Sequence, residues 1–102
     1  MTIAQAQVAN STTDLYTSSG DSVVTSMIFC NTSGSDATLT VYVIPNGSSA
    51  GDSTTILKTV TVLTTDTYVF DTSRLLLSTS DKISAVSSVN NAITATITYM
   101  GV

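Results

Sequence analysis

Ile93-Thr-Ala-Thr-Ile-Thr-Tyr99 alternates an apolar side chain with a threonine at every step. A period of two is the strand repeat, because successive side chains leave a pleated backbone on opposite faces. Ile93, Ala95, Ile97 and Tyr99 therefore point one way and Thr94, Thr96 and Thr98 the other. The segment reads as a strand with one dry face and one wet face.

Working outward, turn clusters punctuate the chain every roughly 8–15 residues. They are Ser18-Ser-Gly-Asp-Ser22, Asn31-Thr-Ser-Gly-Ser-Asp36, Pro45-Asn-Gly-Ser-Ser-Ala-Gly-Asp-Ser53, Thr64-Thr-Asp66, Ser78-Thr-Ser-Asp81 and Ser88-Val-Asn-Asn91. Between them lie β-prone runs at 3–8, 12–16, 22–30, 37–44, 55–63, 67–71, 82–87 and 92–99. Thr, Val and Ile supply 38 of the 102 residues, and β-branched side chains fit a strand better than a helix. The expected fold is all-β: a single two-sheet antiparallel β-sandwich of about eight strands, immunoglobulin-like or jelly-roll. One domain spans 1–102, since a second core would lack apolar surface at this length. No fixed-period repeat is present.

Individual runs carry finer expectations. In 22–30, Val23, Met27 and Phe29 mark one face and Val24, Ile28 and Cys30 the other, so both faces are expected to be covered. In 37–44, Leu39, Val41 and Val43 face inward, which leaves Tyr42 and Ile44 outward as contact residues. Residues 1–8 form either an edge strand or an arm that pairs with a neighbour, and Ile3 joins Tyr42 and Ile44 as a candidate interface residue. The 45–53 stretch is the longest expected loop, mobile because no large apolar side chain pins it.

Composition narrows the chemistry. The chain has no His, Glu or Trp, one Cys, and 36 Ser and Thr. Without His, neither a Ser-His-Asp triad nor a Cys-His pair can be drawn. The nearest carboxylates, Asp66 and Asp71, flank a β run and suit turns better than glycoside chemistry. One Cys and no His cannot close a zinc site. Asp36 and Asp52 lie in loops that could offer oxygen to calcium, yet no D-x-D-x-D spacing accompanies them. No enzyme activity and no cofactor are expected. Cys30 sits in an apolar run and is expected to be a small buried hydrophobe.

The net charge of −4 argues against nucleic-acid binding, which needs a basic patch. No stretch reaches the ~20 apolar residues of a membrane span, and the first residues lack a signal-peptide pattern. The chain is expected to be soluble and made in the cytosol. A mean hydropathy of +0.35 with only 10% charged residues is high for a small lone domain, whose surface is usually solubilised by charge. Burial in an assembly follows as an expectation. The three sequons at Asn10, Asn31 and Asn46 are what chance gives in so Ser/Thr-rich a chain, and outward Thr pairs are ordinary strand surface. Tyr16, Tyr42, Tyr68 and Tyr99 are scattered, so they read as core and contact residues rather than a sugar-stacking platform.

Three phrases, Asp14-Leu-Tyr-Thr-Ser-Ser-Gly20, Val24-Thr-Ser-Met-Ile-Phe-Cys-Asn-Thr-Ser33 and Leu75-Leu-Leu-Ser-Thr-Ser-Asp-Lys-Ile-Ser-Ala85, together resemble small virion structural proteins of tailed, cyanophage-like bacteriophages. The resemblance runs from about residue 5 to 101. It implies a β-sandwich building block made in the host cytoplasm and incorporated into the virion in many copies. Its expected partners are its own kind, as a homo-oligomer, and the major capsid or tail protein, with no nucleic acid and no membrane. The first expectation is a capsid decoration (cement) protein. The alternatives are a neck, tail or baseplate component, or a host-glycan-binding module on the virion. No catalytic residue carries over.

Overall fold

The computed structural model describes residues 2–70 and 75–101. These form nine strands: β1 (Thr2–Val8), β2 (Thr13–Thr17), β3 (Ser22–Asn31), β4 (Ala37–Ile44), β5 (Thr55–Val62), β6 (Thr67–Phe70), β7 (Leu75–Leu77), β8 (Lys82–Ser87) and β9 (Ile93–Gly101). Asp71, the end of the expected 67–71 run, lies outside the described residues. Every pairing is antiparallel. The first sheet runs β1-β9-β3-β6, with β7 also on β3, and the second runs β2-β8-β4-β5.

That order separates the two expected architectures. In an immunoglobulin sandwich the first two strands share a sheet. Here β1, β2, β3 and β4 alternate between sheets, and the pairs β1·β9, β2·β8, β3·β6/β7 and β4·β5 nest inside one another. The chain is thus one long hairpin, closed at residues 45–54 and rolled over itself, which is the jelly-roll order.

Alternation places the core between the sheets. Ile93, Ala95 and Ile97 of β9 are buried against Leu39, Val41, Ile83 and Ala85 of the facing sheet, with Met27 and Phe29 completing the centre. Strand β3 departs from the expected two-sided cover. Its pairing with β9 slips between Val24 and Ser26, so Thr25 is an extra residue that reverses the side-chain parity. Val24 points inward before the bulge and Met27 and Phe29 after it, all fully buried. Val23, Ile28 and Cys30 point outward, so only one face of β3 is dry. Cys30 is accordingly half-buried rather than buried, since its neighbours in register are Thr94 and Thr67.

Two contacts tie the sheets together at their ends. Tyr16 of β2 and Tyr99 of β9 stack with ring centroids 4.1 Å apart, and the Tyr16 hydroxyl donates to Ser22 Oγ at 3.2 Å. Elsewhere Asn31, fully buried at the end of β3, donates to the Val62 carbonyl of β5 at 2.9 Å. The 45–53 loop is pinned more than its composition suggests. It carries a 3-10 turn at Asp52–Thr54, and its Asn46 amide donates to Asp81 Oδ1 at 2.8 Å.

Candidate functional site

Antiparallel register places facing residues on the same side of a sheet, so the outer face of the first sheet can be read row by row. One row is Ile3, Thr98 and Ser26; the next is Gln5, Thr96, Ile28 and Val69; the third is Gln7, Thr94, Cys30 and Thr67. At the far end Met100, Val23 and Leu76 lie side by side. Five of the exposed large apolar side chains of the molecule sit here: Ile3 at 58%, Val69 at 58%, Leu76 at 71%, and Ile28 and Met100 somewhat less. Among the described residues this face carries no acidic or basic side chain. Thr, Ser and Gln fill the spaces between apolar groups, and Gln5 Nε2 donates to Thr96 Oγ1 at 3.1 Å.

The outer face of the second sheet is different in kind. Asp14 accepts from Ser84 Oγ at 2.7 Å and lies 3.6 Å from Lys82 Nζ. Tyr42 stands in the same row as Ser84, and Ile44 in the same row as Lys82. Tyr42 is half-buried. Ile44 does point away from the inter-sheet core, as alternation requires, but it is only 2% exposed. Ile44 is therefore not a surface contact residue: the outward side of β4 ends beside the 3-10 turn of the 45–54 loop instead of in solvent. Of the three candidate interface residues, Ile3 belongs to the charge-free face, Tyr42 to the opposite side of the sandwich, and Ile44 to neither surface.

The remaining candidates resolve into structural duties. Asp36 Oδ1 accepts from the Thr64 amide at 2.9 Å, Asp66 Oδ1 from the Thr67 amide at 2.8 Å, and Asp81 from the amides of Asn46 and Ser78. Asp52 pairs with Lys58 across 3.4 Å in open solvent, where an ion pair contributes little. Tyr16, Tyr68 and Tyr99 pack against the core, so the tyrosines share no platform. A pocket of about 220 Å³ lies between Asp21, Ser22, Leu76, Leu77 and Ser78, smaller than the ~300 Å³ at which small-molecule sites begin. Among the described residues every buried side-chain nitrogen and oxygen already has a hydrogen-bond partner.

Sequence reasoning missed most of the charge-free face. Val69, Leu76, Ile28 and Met100 each sit in short apolar runs whose direction depends on register, and the Thr25 bulge inverts the parity that a simple count assigns to β3. No protein family, curated protein or solved structure matches the chain.

Proposed function

We propose that this chain is a virion structural protein of a tailed bacteriophage, acting as a capsid decoration subunit that binds the major shell protein and its own kind. The observation that carries the reading is the outer face of the first sheet, with Ile3, Ile28, Val69, Leu76 and Met100 exposed among neutral hydroxyl and amide side chains. Exposed apolar side chains gathered on one face, with Met100, Val23 and Leu76 in one row and Ile28 and Val69 in another, favour association. A body of 38 × 27 × 19 Å has a broad face on the order of 1,000 Å², comparable to the ~800 Å² per partner of a standard interface. Affinity here comes from area and shape, with hydroxyl groups supplying hydrogen bonds at the rim.

Two further points support the virion role. The three sequence phrases resemble small tailed-phage virion proteins, and the jelly-roll order is a fold that capsid proteins use, an analogy at the level of fold alone. The same fold serves lectins, but Tyr16, Tyr68 and Tyr99 are engaged with the core, which leaves a sugar no aromatic platform. The test is co-sedimentation of the purified chain with heads assembled from the major shell protein of the same virus. Saturable binding at a fixed copy number per shell supports the decoration role; binding only to tails moves the subunit along the virion, and binding to neither ends the proposal.

A further inference from the structure

We infer that β1 is the strand through which a second copy of this chain pairs, antiparallel across a two-fold axis at Gln5, to join two five-stranded sheets into one continuous sheet. The inference stands on the edges of the sandwich and does not depend on the virion role. A sheet edge presents unpaired N–H and C=O groups, and proteins that stay apart protect their edges with charge, proline, bulges or very short strands.

Three of the four edges here are protected in those ways. Strand β5 slips register twice against β4, carries Lys58, and holds Thr59 at φ 47°. Strand β2 has five residues, a slip between Asp14 and Tyr16, and a charge at Asp14. The edge beyond β3 is divided between β6, with four residues, and β7, with three. Strand β1 has none of these devices. Its seven residues pair with β9 in unbroken register from Thr2↔Tyr99 to Val8↔Ile93, and Thr2-Ile-Ala-Gln-Ala-Gln-Val8 contains no charge and no proline. Among the described residues only β9 pairs with it.

The sequence of β1 is also self-complementary about its midpoint. With Gln5 facing Gln5 of the other copy, Ala4 meets Ala6 and Ile3 meets Gln7, so small half-buried groups lie on one face and an apolar group lies against an amide stem on the other. No charged side chain of β1 is brought into the contact by this pairing. Main-chain hydrogen bonds supply the affinity, as in other strand additions, and an isologous contact closes at two copies. The charge-free outer faces of both copies then lie edge to edge on one surface.

The experiment is sedimentation velocity on the intact chain over about a hundredfold range of concentration, which reads dimerisation by mass action. A concentration-dependent dimer is expected, and Gln5→Lys, which sets two ammonium groups against each other at the axis, is expected to weaken it about twofold to fivefold. Circular dichroism checks that this variant keeps its fold. The register is read in a Cys30→Ser background: Gln5→Cys is expected to give a disulfide-linked dimer on mild oxidation, whereas Ile3→Cys, which faces Gln7 of the other copy, is not. A wild-type monomer throughout the range, an undiminished dimer in Gln5→Lys, or equal cross-linking at both positions overturns the inference. Failure to bind heads, by contrast, touches only the proposed function.

Discussion

The side-chain amide of Asn31 donates to the carbonyl of Val62 at 2.9 Å, joining the last residue of β3 in one sheet to the last residue of β5 in the other. Its second N–H reaches the Ser35 carbonyl at 3.0 Å, and its Oδ1 accepts from the amide and hydroxyl of Ser33. All of its hydrogen-bonding capacity is thus used inside the fold. Asn31→Ala removes the donor to the carbonyl of buried Val62 and the acceptor of the Ser33 amide, while the Ser33 hydroxyl keeps the Ser35 carbonyl at 2.9 Å, so a loss of roughly 1–3 kcal/mol is expected. Asn31→Asp is isosteric yet lacks the donors and introduces charge, and should lose at least as much. Urea denaturation of both variants checks this, and a loss below about 1 kcal/mol in each contradicts the clamp.

The same site shows how far the sequence could be read. Eight of the nine strands are visible as β-prone runs between turn clusters, because alternation and turn chemistry are local. Strand β7 is not: Leu75-Leu-Leu77 has no alternation, and only its pairing with Ser22–Val24 makes it a strand. Asn31 opens a turn cluster and looks like surface, although β3 carries it into the interior. The one-residue bulge at Thr25 and the burial of Ile44 depend on what lies across the chain, and no period of two records either. The candidate face was legible only at Ile3.

Parity in β3 gives the second prediction. A plain count groups Val23 with Met27 and Phe29; the bulge instead groups Val24 with them. Val24→Ala is expected to cost about 2 kcal/mol and Met27→Ala about 2–5 kcal/mol, as buried truncations do. Val23→Ala and Ile28→Ala, on the outer face, are expected to cost less than about 1 kcal/mol. Thermal melts of the four variants decide between the two registers, and equal losses at Val23 and Val24 rule out the bulge.

Backbone strain in β5 gives the third. Thr59 holds φ at 47°, a left-handed conformation that a β-branched residue adopts at a cost of order 1–3 kcal/mol. Thr59→Gly removes that strain while adding unfolded-state entropy, for an expected net gain of about 0.5–1 kcal/mol. The backbone amide of residue 59 keeps its bond to Thr40 Oγ1. Thr61→Gly, on the same strand with no positive φ, should instead lose about 0.5–1 kcal/mol. Opposite signs at positions two residues apart are the signature to look for in denaturant midpoints.

The last prediction separates the stability of the charge-free face from its use. Val69 and Leu76 are mostly in solvent, so Val69→Lys and Leu76→Lys remove little buried area, and each is expected to alter stability by less than about 0.5 kcal/mol. Both place a strongly hydrated ammonium beside the exposed apolar side chains of that face, on the edge strands β6 and β7. A partner covering that surface must strip the charge of water or leave a gap, and either weakens the interface. Binding to assembled heads should therefore fall at least about tenfold for each variant, whereas Thr61→Lys, exposed on β5 of the other sheet, should bind as wild type. Dimerisation through β1 should survive in all three, because none of the substituted residues lies on that strand. A Leu76→Lys variant that folds and still binds at full strength would show that this face is not the one that meets the shell.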